Sequence, residues 1–343
     1  MAAAQDHAAA GRRLTPTGRG ASAGLLSLLA AGFVTVVAGG AMSLQGRANG
    51  LLGPILGHAV FAALVSFLTG LLIVGTVLVS SPHARTGARI LTRLVRSGRM
   101  PWWMLLGGLS GALVVIAQAA TVPIMGVAMF TMAFVSGQVT GGLVVDATRL
   151  PPGGRQRPTL LRVIGVLIVL GALVFGAGER LELGVPLWAP LLPFASGTLT
   201  AVQQAFNGRI RAASRSAVVA TTTNFLTGLA ALLVVAGIAM ALGAAWTGFP
   251  AAPGQWWLLL GGAFGVVFIG LTSLTVARLG VLLLSLFSLF GNLLGALLLD
   301  ALLPLPGSLV STTTVISAAL VLVGIAVTIT PSSGSRRGRG FRR

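Results

Sequence analysis

Gln45-Gly46-Arg47-Ala48-Asn49-Gly50 recurs 158 positions later as Gln203-Gln204-Ala205-Phe206-Asn207-Gly208. The same offset carries Ser66-Phe67-Leu68-Thr69-Gly70 onto Asn224-Phe225-Leu226-Thr227-Gly228. Further along, the offset becomes 154. Trp102-Trp103 then meets Trp256-Trp257, Gly107-Gly108 meets Gly261-Gly262, and Gly111 meets Gly265. Gly137-Gln138 meets Gly291-Asn292, Gly141 meets Gly295, and Asp146 meets Asp300. Small, amide and aromatic positions that coincide in one order at a nearly constant period mark an internal duplication. It divides the chain into a first unit over 24–178 and a second over 186–330. An N-terminal tail (1–23) and an Arg-rich C-terminal tail (331–343) are expected to be disordered.

The duplicated unit is a membrane unit. The chain is 55% hydrophobic and 8% charged, with a mean hydropathy of +0.96, beyond the range of an ordinary soluble domain. Uncharged runs of about 20 residues suffice to cross a hydrocarbon layer of about 30 Å. They are expected over 25–44, 55–79, 102–121, 124–145 and 160–177 in the first unit. In the second they are expected over 188–204, 217–242, 256–276, 281–303 and 309–329. The stretches 102–145 and 256–299 are too long for one crossing. Each is expected to fold as a helical hairpin, turning near Pro123-Ile124-Met125-Gly126 and near Arg278-Leu279-Gly280. Trp102, Trp103, Trp188, Trp256 and Trp257 fall at span starts, where indole favours the interface. The run from Leu25 follows Arg12, Arg13 and Arg19 in the manner of a signal peptide. It continues to Leu44 without a convincing cleavage site and is expected to remain as the first helix.

Charge supplies the orientation. The net charge is +18, and all 23 basic residues are arginines. With a cytoplasmic N-terminus and ten crossings, all of them except Arg47 and Arg180 fall on the cytoplasmic side, as the positive-inside rule requires. Both termini are then cytoplasmic. The Arg336-Arg337-Gly338-Arg339 tail reads as a segment lying near anionic headgroups rather than as a nucleic-acid site. Five crossings per unit is an odd number, so the second copy enters the membrane with opposite orientation. The expected fold is therefore an all-α integral membrane protein with ten transmembrane helices as two inverted five-helix repeats. Such repeats allow two halves to exchange conformations, the geometry of alternating-access carriers.

The motifs carry a family likeness. A first helix closing on Q-x-x-x-N-G, an S/N-F-L-T-G second helix and a W-W…G-G third helix resemble the YdcZ-type, EamA-like branch of the drug/metabolite transporter (DMT) superfamily, from about Leu28 to Thr328. The resemblance implies a five-plus-five inner-membrane carrier, an exporter in which two units are fused. No residue pattern in that branch names a cargo.

Two residue classes are expected to matter inside the membrane. Gly107 and Gly111, Gly137 and Gly141, Gly261 and Gly265, and Gly291 and Gly295 place small residues one helical turn apart, which lets backbones approach closely where lipid provides no hydrophobic drive. Neutral amides form the second class: Gln45, Asn49, Gln118, Gln138, Gln203, Gln204, Asn207, Asn224 and Asn292. An unpaired amide in hydrocarbon is costly, so these must face one another or a wet cavity. Gln45 and Asn49 share a helix face and mirror Gln203 and Asn207, while Gln138 mirrors Asn292. The set either lines a solute pathway or joins helices. Arg47, whose counterpart is Ala205, reads as attracting an anionic solute or as snorkelling to headgroups, the latter favoured. Asp146 and Asp300 read as hydrated helix ends.

Composition also excludes. The chain has no cysteine, five acidic residues and three histidines, so thiol chemistry is impossible and metal or Ser/His catalysis lacks partners; no cofactor is expected. No acid lies near the centre of a span, and His58, near the start of the second helix, is the sole ionisable candidate, which disfavours an antiporter of lipophilic cations. The expected partners are membrane lipid and a small neutral, zwitterionic or mildly anionic solute, with a homodimer allowed. A passive channel or lipid flippase is the alternative, ahead of an intramembrane enzyme. The topology is testable with C-terminal fusions: a fluorescent-protein fusion should fluoresce and an alkaline-phosphatase fusion should be inactive. Phosphatase activity there would overturn the even span count.

Overall fold

The structure, a computed structural model, describes residues 18–305 and 310–329, and every regular element among them is helical. The chain runs through α1 (Gly18–Ile55), α2 (Ala59–Ser80), α3 (Pro82–Arg96), a 3-10 segment (Trp102–Gly107), α4 (Gly108–Asp146), α5 (Leu160–Glu182), α6 (Trp188–Ser214) and α7 (Ala217–Ala241). It continues through a second 3-10 segment (Pro253–Leu260), α8 (Gly261–Leu302) and α9 (Thr312–Ile329). Eight apolar stretches among the described residues are long enough to cross a membrane. Helix is what hydrocarbon demands, because every backbone N–H and C=O must be satisfied within the segment.

Boundaries differ from the sequence reading in places that matter. Helix α1 begins at Gly18, inside the stretch expected as tail, and continues past residue 44 to Ile55, so the Gln45–Gly50 motif lies within a helix rather than at its end. Likewise α6 runs to Ser214. The remainder of both expected tails, 1–17 and 331–343, lies outside the described residues. Helix α3 lies between two of the expected spans, in a stretch marked in sequence by its arginines. Its arginines recur at positions 85, 89, 93 and 96, with Ala84, Gly87 and Leu91 buried on another face. It is amphipathic, and Gly87 packs against the Ser214 carbonyl ahead of α7. Ser81, Thr159 and Ser216 cap α3, α5 and α7, their hydroxyls accepting from the N–H of Ala84, Arg162 and Val219.

The units interlock rather than standing side by side. The first helix of each is clasped by the long helix of the other, α1 by α8 and α6 by α4. Along α6, Asn207 meets Gly107 and Gln203 meets Gly111, whereas Phe194 meets Gly137 and Thr198 meets Gly141. The two ends of α4 therefore track α6 in opposite order. Along α1, Asn49 meets Gly261, Gln45 meets Gly265 and Thr35 meets Thr275. Val36 then meets Gly291 and Gly40 meets Gly295, again with the order reversed. The glycine pairs map onto one another under the offsets of 158 and 154. At Gly137, Gly291, Gly108 and Gly262 an added Cβ would fall on the carbonyl of Phe194, Val36, Asn224 and Ser66 respectively.

In α4 the reversal has a definite hinge. Gly126 has φ 79° and ψ 170°, a conformation essentially restricted to glycine. The break leaves the next N–H groups without intrahelical acceptors. Val127 N–H donates to Asp300 Oδ1 at 3.1 Å and Ala128 N–H to Oδ2 at 2.8 Å. A carboxylate from the end of α8 thus caps the second segment of α4, whose residues 125–137 are all buried. Asp300 is accordingly 2% exposed, not the hydrated helix end expected of it. Its counterpart Asp146 remains at the surface, paired with Arg162 at 3.1 Å.

Gly137→Leu and Gly291→Leu should each lower stability by about 1–3 kcal/mol or more through overpacking. Gly171→Leu, where nothing lies within 4 Å of the added carbon, should stay within about 0.5 kcal/mol of the parent. Thermal unfolding in detergent reads all three; equal effects would contradict these backbone contacts.

Candidate functional site

The amides gather where each first helix meets the start of the opposite long helix. On α1, Gln45, Asn49 and, across from them on α4, Gln118 are buried. Asn49 Nδ2 donates to Gln118 Oε1 at 2.7 Å. Gln45 Oε1 lies 2.9 Å from a Cβ position built on Gly265, and Ser66 Oγ lies 3.1 Å from one built on Gly261. Gln45 Oε1, Asn49 Oδ1 and Ser66 Oγ are buried with no hydrogen-bond partner. The equivalent nest on α6 holds Gln203, Asn207 and Asn224, all half-buried. There Asn224 Nδ2 donates to Asn207 Oδ1 at 2.8 Å, and Asn224 Oδ1 has no partner. Gln118 and Gly111, which face the two nests, are seven residues apart on α4, about 10 Å along a helix axis.

Two predicted amides stand apart. Asn292 is buried, and both its Oδ1 (2.9 Å) and its backbone carbonyl accept from the Ser43 hydroxyl on α1. Gln138 is half-buried, and its backbone N–H faces Gly197 of α6. Ser66 was not singled out from the sequence, although the repeat puts it at the position of Asn224. The buried Ser43, Thr35–Thr275 (2.9 Å) and Ser110–Thr200 (3.3 Å) contacts carry no such mark, because hydroxyls are unremarkable in apolar runs.

The charged residues depart furthest from expectation. Arg47 is 6% exposed instead of snorkelling to the surface. It and Arg180, also buried, interact electrostatically with Asp300. Arg47 Nη1 has no hydrogen-bond partner. His58 is a helix cap, its Nδ1 accepting from Val60 N–H at 3.2 Å. Among the described residues no cluster of three His, Asp or Glu side chains could hold a metal ion.

A cavity of about 700 Å³ opens between α6 and the second segment of α4, walled by Ala201, Gln204, Ala205, Gly208, Asp146 and Arg211 among others. It lies on the other face of α6 from Gln203 and Asn207, since neighbouring helical positions are turned by about 100°.

A double-mutant cycle on Asn49→Ala and Gln118→Ala should give a coupling of about 0.6 kcal/mol, up to roughly 1.7 kcal/mol, the range for hydrogen bonds between membrane helices. Additive effects on the unfolding midpoint would show that the two amides do not act as a pair.

Two stretches of the chain, residues 30–175 and 188–327, match the family model described as "Putative inner membrane exporter, YdcZ". No curated protein matches the chain. One protein of known crystal structure superposes on it with a TM-score of 0.52 at 18% sequence identity, over 88% of this chain and 96% of that one. That likeness is one of fold.

Proposed function

This chain belongs to the YdcZ inner membrane exporter family, and from that footing we propose that it is a secondary-active carrier that moves a small solute out of the cytoplasm by alternating access between two inverted five-helix repeats. Membership makes it a multi-pass inner membrane protein of an exporter family, not of an enzyme family.

The observation that carries it is the exchange symmetry of the contacts: Gly137 with Phe194 answers Gly291 with Val36, and Gly111 with Gln203 answers Gly265 with Gln45. The ten-span count is supported by length. A 39-residue α4 would extend about 58 Å if straight, nearly twice a hydrocarbon core, and its two ends track α6 in opposite order. Counting two crossings for α4 and one for α6 raises the eight apolar stretches to ten. Inversion is supported by the equivalent helices α2 and α7. Gly70 packs against Phe225 and Gly228 against Phe67, with those rings 5.2 Å apart edge to face. Equivalent helices that pair in opposite order are related by an axis across their length, which for crossing helices lies in the membrane plane.

Alternating access is supported by a difference between the halves. The α1 nest is buried and the α6 nest is half-buried, although their glycine contacts correspond. With both termini cytoplasmic, the α6 nest and the cavity of about 700 Å³ face the cytoplasm and the α1 nest faces outward. Exchange of the two conformations would open the other side.

Purified protein in liposomes, given a panel of labelled small metabolites, should show saturable flux and counterflow for at least one. Flux that fails to saturate and shows no counterflow would identify a channel instead, and product formation an enzyme.

A further inference from the structure

The cavity beside α6 has a counterpart beside α1. Carried across the offsets of 158 and 154, its wall residues Ala201, Gln204, Ala205, Gly208 and Asp146 become Ser43, Gly46, Arg47, Gly50 and Asp300. In one half these positions surround about 700 Å³ of open space. In the other, Gly46, Gly50 and Asp300 are buried where Gln204 is exposed and Gly208 and Asp146 are half-buried, while Arg47 and its counterpart Ala205 are both buried. The counterpart positions differ in chemistry: Gly53 and Gly57 stand for Arg211 and Arg215, Gly46 for Gln204, and the guanidinium of Arg47 replaces the methyl group of Ala205.

That guanidinium is poorly matched by its surroundings. Asp300, the carboxylate that interacts with it, has both oxygens engaged by the N–H groups of Val127 and Ala128, where it also balances the positive end of a helix. Arg180 shares the same carboxylate and interacts with Glu179 as well, and Glu179 Oε2 accepts from Ser311 at 2.6 Å. Arg47 Nη1 is left with no hydrogen-bond partner. A buried cation in this condition is costly at membrane depth and is a functional site by default. The open cavity is basic as well. Arg211 and Arg215 stand in its wall, while its one acid, Asp146, is paired with Arg162.

We infer that Arg47 is the anion-recognising residue of the outward vestibule, and that the transported solute carries a carboxylate or phosphate group. The inference rests on the carrier reading above. When the halves exchange conformation, Arg47 takes the place in the outer wall that Ala205 holds in the inner one. The planar fork of the guanidinium then offers two parallel N–H donors to the solute's anionic group. Arg211 and Arg215 raise the local concentration of the same anions at the cytoplasmic mouth.

The test uses the full chain, purified in neutral detergent free of lipid. Thermal unfolding is followed with benzoate, succinate and inorganic phosphate, and with the uncharged benzamide and succinamide. At least one of the three anions should raise the midpoint by several degrees while its amide analogue does not. Arg47→Gln should weaken the apparent affinity for that anion at least 10-fold, and Arg47→Lys, a point charge without the fork, should weaken it by less than Arg47→Gln. The wild-type contrast between anion and amide requires no variant, so a misfolded Arg47→Gln protein leaves the test intact. Equal shifts from the amides, no shift from any anion, or an undiminished shift in a folded Arg47→Gln would overturn the inference. So would a shift produced by phosphatidylglycerol alone, which would assign Arg47 to a lipid headgroup. Counterflow in liposomes separates the two claims. Counterflow of uncharged solutes alone sinks the anion site and spares the carrier, whereas an Arg47-dependent anion shift without counterflow does the reverse.

Discussion

Backbone against backbone is the contact on which this fold depends. Lipid tails are as apolar as leucine side chains, so helices gain little by hiding apolar surface from them, and cohesion must come from close dispersion contact and polar pairing. Here glycines at 108, 137, 262 and 291 bring one helix onto the carbonyls of another. Each contact joins one repeat to the other. The longest helix pairs therefore join the two units: α1 lies along α8 and α6 along α4, and Gly165 of α5 meets Gly324 of α9. The duplication accounts for this reciprocity, since a surface that fits the opposite unit once must fit it twice.

Smooth contacts of this kind resist separation but leave sliding comparatively free, because few side chains interdigitate across them. Polar groups then set which arrangement is held. In the described arrangement Asp300 is the most consequential of these. It ties the end of α8 to the broken point of α4, within a fully buried stretch, and interacts electrostatically with Arg47 of α1 and Arg180 of α5. Asp146, its counterpart in sequence, holds only Arg162 near the surface. One equivalent position is thus a buried clasp and the other a surface pair, a difference between two related units.

The sequence allowed much of this to be read. Composition and the length of the apolar runs dictated a helical membrane protein, because hydrocarbon admits no other element for such segments. The offsets of 158 and 154 dictated the pairing of positions, and the recurrence of Gly-x-x-x-Gly identified faces that meet backbone. The break at Gly126 was anticipated from an apolar run too long for one crossing. The basic helix α3 was legible in its arginine spacing, although a run of charge between spans is first an orientation signal.

What remained for the tertiary structure was burial, and with it the difference between the halves. A repeat makes equivalent positions look alike, so Gln45 and Gln203, or Asp300 and Asp146, carry the same expectation from their surroundings in the chain. Their exposure depends on how the two units lean on each other, a relation between residues more than 100 positions apart that no local pattern records. For the same reason Arg47 read as a surface residue: an arginine near a span end ordinarily reaches for water, and only the meeting of α1 with Asp300 and the Gly126 break keeps it inside.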